Sequence, residues 1–503
     1  MIEMDVLLQG FSMIFNLNCA IFLALGMVYG ILCGAIPGLT PTIAIAMLVP
    51  VTYPMEPITA LVFLSSTYAG STYGGAITAI LINTPGTPSA AATCFDGYPM
   101  AKRGEAERAL GLSLGAAAIG GAFSYTFLLL GMYPIAYFAI KFGAPEMFLL
   151  TVMGLSVIAS LGKENFWKAV FSGLFGILIA NFGIAPTGMV RSHLGTPWLL
   201  NGAPQIPTMI GLLAFSELFN MLNPSSGPVE KGEINRRRGI GQIMRGLMEP
   251  FKYLKTTIIS SVIGTFVGAL PAAGSTIAAF LAYNQTKQTS KNPDAFGKGN
   301  PEGIIAPGSA GNASTGGALT TMLAFGIPGS GSTAIMLGAM MLHGLIPGPR
   351  LFVDQMPIVY GLILALLMSQ VVMIVVGVGF CKSMSAIIDV PTKILAPIVA
   401  VFCVVGSFAL RGSLFDVIFM ATFGIIGYFM KKSGYSVIAM VLGLVLGQLC
   451  DNNLLRTVIR YKYNYSVFLT RPISLALTIM TLIMIFYPII QKRKDKNEPA
   501  QGK

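Results

Sequence analysis

Charge is scarce in this 503-residue sequence, with Asp, Glu, Lys and Arg together making up 10% of it. A soluble domain carries about 25% charged residues to keep its surface wet, so this proportion excludes a soluble protein of the same size. Histidine is nearly missing too: His193 and His343 are the only two. A histidine-based metal site or a histidine general base therefore has almost no material to draw on. The six cysteines, Cys19, Cys33, Cys94, Cys381, Cys403 and Cys450, stand singly in apolar or small-residue surroundings with no C-x-x-C pair. They read as buried free thiols, and neither a disulfide framework nor a zinc site follows from them. No G-x-x-x-x-G-K-[ST] run occurs, which excludes ATP binding through a Walker loop. Lys and Arg are absent before Lys102. Residues 11–34 consequently lack the basic n-region of a signal peptide and read as a retained first span.

Apolar residues fill the space that charge leaves: 54% of the chain is hydrophobic, and mean hydropathy is +0.73. Apolar segments lie near 11–34, 41–53, 57–82, 109–140, 145–161, 166–185 and 204–222, and again near 256–283, 309–326, 328–346, 357–381, 394–410, 414–430, 434–450 and 472–490. Some are too short to cross hydrocarbon, which leaves about a dozen full spans plus re-entrant pieces. The expected fold is an all-α polytopic membrane protein of about twelve transmembrane helices with broken or re-entrant helices among them. The net charge of +12 is spread as short Lys and Arg clusters between apolar runs. That is the pattern of cytoplasmic loops, and no basic stripe interleaved with aromatics suggests nucleic acid. The strongest cluster divides the chain into a first transmembrane repeat (1–222), a basic cytoplasmic linker (223–255), a second repeat (256–490) and a basic polar tail (491–503).

The repeat is visible in the residues. Gly30, Gly34, Ala35 and Pro37, followed by Thr42-Ile43-Ala44, match Gly264, Gly268, Ala269 and Pro271, followed by Thr276-Ile277-Ala278. Gly74-Gly75-Ala76, Thr78 and Leu81 then match Gly316-Gly317-Ala318, Thr320 and Leu323, and Pro85-Gly86 matches Pro328-Gly329. Corresponding Gly/Pro-broken segments in two halves point to a transporter's binding site. The Lys/Arg-free N-terminus and the basic linker place an odd number of crossings between them, so the halves are expected to be inverted.

Each half carries two breaks of one type, in which a Pro-Gly or Pro-Ala turn is followed by hydroxyl residues that open another apolar run. Proline ends one helix, glycine permits the turn, and Ser or Thr caps the next. Pro41 and Pro88 stand where a first helical residue tolerates proline. A helix that starts at membrane depth presents free N–H groups and partial positive charge, which suits a carboxylate. The substrate-binding set is therefore Pro37, Gly38, Thr40 and Thr42; Thr84, Pro85, Gly86 and Thr87; Ala273, Gly274, Ser275 and Thr276; and Pro328, Gly329, Ser330 and Ser332. Hydroxyls and amides beside the Gly-Gly pairs, where backbone approaches closely, form an ion-binding set: Ser71, Thr72, Gly74, Gly75, Asn312, Ser314, Thr315, Gly316 and Gly317. The coupling ion expected there is sodium or a proton, with no other cofactor, and for a proton Asp96 and His343 are the titrating candidates. The row Gly26, Gly30 and Gly34 has the spacing of helix packing. Charges such as Glu56, Glu146, Glu217, Asp354, Asp416 and Asp451 fall near segment ends.

Gly111-Leu-Ser113-Leu-Gly115 matches a nucleophile elbow in letters only, since no strand precedes it. Long motifs say more. The run from Pro37-Gly-Leu-Thr through Tyr73-Gly-Gly-Ala to Asp96-Gly-Tyr-Pro-Met-Ala-Lys-Arg-Gly104 resembles the large permease subunit of tripartite tricarboxylate transporters, as do Gly326-Ile-Pro-Gly-Ser330 and His343-Gly-Leu-Ile-Pro-Gly-Pro349. The resemblance implies a subunit that imports small carboxylates with a cation gradient. It also implies a small membrane subunit, an extracytoplasmic solute-binding protein and lipid as partners, in a bacterial or archaeal cytoplasmic (inner) membrane. Two other classes stay open: an intramembrane hydrolase using Ser113 or Ser71, and a passive channel.

Overall fold

The computed structural model describes residues 4–139, 141–161, 166–185, 187–221, 240–270, 273–387 and 392–483. Much of the predicted linker, the Pro271-Ala272 turn and the 491–503 tail lie outside the described residues. Every regular element described is a helix, and Ile184 and Val190 form an isolated bridge. Among the described residues, five helices are long and apolar enough to cross a membrane: Leu17–Ala35, Pro88–Gly131, Met356–Lys382, Leu414–Lys432 and Val437–Arg460. Shorter apolar helices of 10–17 residues accompany them. Several runs that are continuous in sequence are cut in space. Residues 256–283 become Leu254–Ala269 and Gly274–Thr289, and the 204–222 run is interrupted by a π-helical turn at Gly211–Phe215.

Pro57–Ile82 is the central helix, with every residue from Ile58 to Leu81 buried. Its wall of Ser, Thr, Tyr and Gly needs no apolar coat because protein surrounds it. Glycines let neighbours approach it: a Cβ at Gly30 or Gly34 of Leu17–Ala35 would strike the carbonyl oxygen of Thr67 or Ser71. The G-x-x-x-G row therefore serves packing, as its spacing implies. The same contact recurs where Leu254–Ala269 lies on Glu302–Phe325, with Gly264 against the Ala310 carbonyl and Gly268 against that of Ser314. Gly86 meets the Gly34 carbonyl, and Gly329 meets the Gly268 carbonyl. Gly74, against the Ile31 carbonyl, has its counterpart in Gly317 against that of Thr265, one residue on from the Gly316 with which the sequence match pairs it.

Helix direction follows from a few contacts. Pro41–Thr52 and Gly331–Leu342 end together, with His343 Nε2 3.3 Å from Thr52 Oγ1. Gly274–Thr289 instead runs with Ala91–Met100, where the Tyr283 hydroxyl donates to Asp96 Oδ2 at 2.9 Å. Gly97 of the latter stacks on Ile80 of the central helix. Thr52 lies just before the other end of that helix, which is about 39 Å long. The two pairs thus leave the middle of the molecule toward opposite ends.

Candidate functional site

Between these helices lies a cavity of about 560 Å³, the size of a small-molecule site. Its wall holds residues of all four breaks: Gly38, Thr40 and Thr42; Pro88; Ala273, Gly274, Ser275 and Thr276; and Pro328, Ser330 and Ser332. Local chemistry sets each helix start there. Thr40 is an extended N-cap whose Oγ1 accepts from the Ile43 N–H at 3.4 Å, with Pro41 as first helical residue. Ser330 forms a capping box with Thr333. Gly274 has a φ of +64°, which a β-carbon would resist, and Ala273 offers no capping side chain. The first N–H groups of that helix have no partner within it.

Hydroxyls tie the two halves together across the cavity. Thr42 Oγ1 lies 3.1 Å from Ser332 Oγ, and Tyr68 OH lies 3.1 Å from Ser330 Oγ. Two features of the wall escaped the sequence reading. Ser436 and Val437 bring in another helix start, with Ser436 Oγ accepting from the Ala439 N–H at 3.2 Å. Lys431 also lines the cavity and forms an ion pair with Glu217 at 2.6 Å. In sequence, Lys431 is one of two adjacent lysines ending an apolar run, indistinguishable from an ordinary loop charge. Tyr68 likewise looks like one aromatic among many.

Other predicted residues support the wall without forming it. The Gly86 N–H donates to the Gly75 carbonyl at 3.1 Å, and Thr87 Oγ1 pairs with Ser89 Oγ at 3.1 Å. Together with Thr84 and Pro85 they position Pro88, while Gly329 packs behind Pro328 and Ser330, and Pro37 leads into Gly38. Gly86 and Gly329 are thus packing positions outside the lining of the cavity.

The ion-binding set divides. Thr72 and Asn312 face one small cavity of about 20 Å³, enough for one water-sized occupant, beside Ser89, Thr93 and Ser113. Asn312 Nδ2 donates to the Ala117 carbonyl at 3.0 Å, whereas Asn312 Oδ1 and Ser113 Oγ are buried without a hydrogen-bond partner among the described residues. Thr72, Ser71, Ser314 and Thr315 all donate to their own helix, at the carbonyls of Tyr68, Tyr68, Gly311 and Asn312, and of these four only Thr72 lines the small cavity. Gly74, Gly75, Gly316 and Gly317 are sites of close packing. Asp96 lies away from both cavities: its fully buried carboxylate accepts from the Gly297, Gly299 and Asn300 N–H groups at 2.9, 2.8 and 2.7 Å. His343 stands at the helix end beside Thr52. Ser113 sits inside the Ala106–Ala139 helix with no base on its hydroxyl, and Ser71 bonds only backbone, so neither is arranged as a nucleophile.

Comparison with known proteins adds a family. The family model described as "Tripartite tricarboxylate transporter TctA family" matches residues 20–442. An uncharacterised 52.8 kDa protein from the TAR-I ttuC' 3' region of Agrobacterium vitis is 32% identical over 478 residues, covering 94% of each chain. A protein from the TAR-II ttuC' 3' region of the same organism is 30% identical over 236 residues, 46% of this chain and 98% of its own. No solved structure matches.

Proposed function

This chain belongs to the tripartite tricarboxylate transporter TctA family, and from that premise we propose that it is the large membrane subunit of a carboxylate importer driven by a cation gradient. The observation that carries the reading is the central cavity. Breaks from both halves meet in it, and at least three helix N-termini point partial positive charge at one space. A carboxylate placed there meets free N–H groups, the hydroxyls of Thr42, Ser332 and Ser275, and the Lys431 ammonium. The recurring glycine contacts support two repeated halves, and the opposed directions of the helix pairs support their inversion.

The small polar cavity at Thr72 and Asn312 is the proposed seat of the coupling cation, where the unpartnered Asn312 oxygen supplies a ligand. Hard cations take oxygen donors, and this cavity offers an amide and hydroxyls in place of carboxylates. A small membrane subunit and a solute-binding protein complete the system, which belongs to the cytoplasmic membrane. The direct test is uptake of labelled di- and tricarboxylates by proteoliposomes containing the chain and its partner subunits. Uptake that requires an inward sodium or proton gradient is expected; uptake at the same rate without any gradient would show a channel.

A further inference from the structure

A larger cavity, of about 870 Å³, lies at the far end of a helix that reaches the central one. Leu254–Ala269 and Glu302–Phe325 begin at it and Gly274–Thr289 ends at it. Along that last helix it is about 24 Å from the central cavity. Arg103, Lys252, Lys255, Lys291 and Lys298 line it against a single carboxylate, Glu302. Glu302 is already engaged: Thr256 Oγ1 donates to Oε1 at 2.8 Å and Ser290 Oγ to Oε2 at 3.1 Å. Arg103 Nη2 donates to the Gly299 carbonyl at 2.6 Å. Among the described residues, the four lysines form no ion pair. The cavity therefore sets five cations against one carboxylate, an excess of positive charge.

A second observation gives the charge a partner. Leu254, Ile258 and Phe266 of Leu254–Ala269 and its C-cap Leu270 are 48, 47, 59 and 59% exposed and fall at multiples of four, a row that winds along the outward side of the helix as an apolar stripe. Leu254 also lines the basic cavity, so the stripe begins where the lysines stand. Cations at the head of an outward apolar stripe match a phosphate joined to acyl chains, whereas a free anion uses only the cations. We infer that this cavity binds the phosphate headgroup of an anionic phospholipid, whose chains lie along the Leu254 to Leu270 stripe. Bound there, the lipid joins the ends of three helices, one of which, Gly274–Thr289, starts in the wall of the central cavity.

Native mass spectrometry of the purified full chain, titrated with phosphatidylglycerol and phosphatidylcholine of equal chain length, tests this. Retention of the anionic lipid is expected to exceed that of the zwitterionic one by about tenfold or more. The triple variant Lys255→Gln, Lys291→Gln, Lys298→Gln should lose the preference, and the control Arg456→Gln, Arg460→Gln, Lys462→Gln should keep it. Equal retention of both lipids by the wild-type chain, or an undiminished preference in the triple variant, overturns the proposal. An arm on the unmodified chain needs no variant to fold: millimolar inorganic phosphate should not displace the lipid, and full displacement would assign the cavity to free phosphate instead.

Discussion

Lys431 is the residue on which the proposed recognition of a carboxylate turns, because it brings the positive charge to a wall whose other members are Glu217, helix dipoles, hydroxyls and apolar side chains. Its present partner, Glu217, competes with a substrate carboxylate for the same ammonium. Hydrogen bonds to charged groups contribute about 1.5–3 kcal/mol, so Lys431→Gln should weaken binding about ten- to hundredfold, as isothermal titration calorimetry with citrate or a dicarboxylate would read. Glu217→Gln should act in the opposite sense, tightening binding by releasing the ammonium; unchanged affinity in both variants would remove the pair from the site. Asn312 makes a separable prediction. Asn312→Leu deletes the unpartnered oxygen of the small cavity, so the cation concentration giving half-maximal uptake should rise about tenfold or more, with carboxylate affinity at saturating cation little changed. Ser314 and Thr315 lie outside the lining of that cavity, whereas Thr72 belongs to it. Their Val variants should leave cation dependence unchanged, whereas Thr72→Val should alter it.

At the scale of elements, the breaks are stations where one backbone lies against another. Gly86 and Gly329 pack on the carbonyls of Gly34 and Gly268, and each leaves no room for a β-carbon. Even Gly86→Ala or Gly329→Ala must displace backbone, at a cost of about 1–3 kcal/mol for overpacking. Thermal unfolding of either variant in detergent should show a lower Tm, and Gly86→Leu should fail to accumulate as folded protein. Normal folding with abolished transport would instead make these glycines ligand contacts. Gly38, with a φ of +94° and open space around its Cα, differs: substitution there strains the turn itself without a collision.

For the whole molecule, the opposed helix pairs make a topological prediction. Tyr53 follows the Pro41–Thr52 helix at one end, while Lys291 follows Gly274–Thr289 at the other, and both side chains are exposed. With the native cysteines replaced, a membrane-impermeant maleimide applied to intact cells should label Tyr53→Cys and not Lys291→Cys, since the basic end belongs in the cytoplasm. Labelling of both from the same side would contradict the inversion.

Class, family and the identity of the breaks were legible in the chain, because hydropathy, scarce charge and Pro-Gly-hydroxyl runs act over a few consecutive residues. The proposed pairing of the repeated motifs was drawn from letters alone, whereas the glycine contacts set Gly74 beside Gly317, on the Thr265 carbonyl, one residue from the pairing in sequence. Sequence alone treated Thr84 to Thr87 and Gly329 as ligand contacts, since a turn that builds a wall and a turn that forms it carry the same letters. It passed over Lys431, Tyr68 and Ser436, whose roles depend on segments far apart in the chain meeting around one cavity. Local composition determines where helices start and stop. Which of their ends share a space, and which charge faces it, is settled only when every helix has found the neighbours its small residues admit.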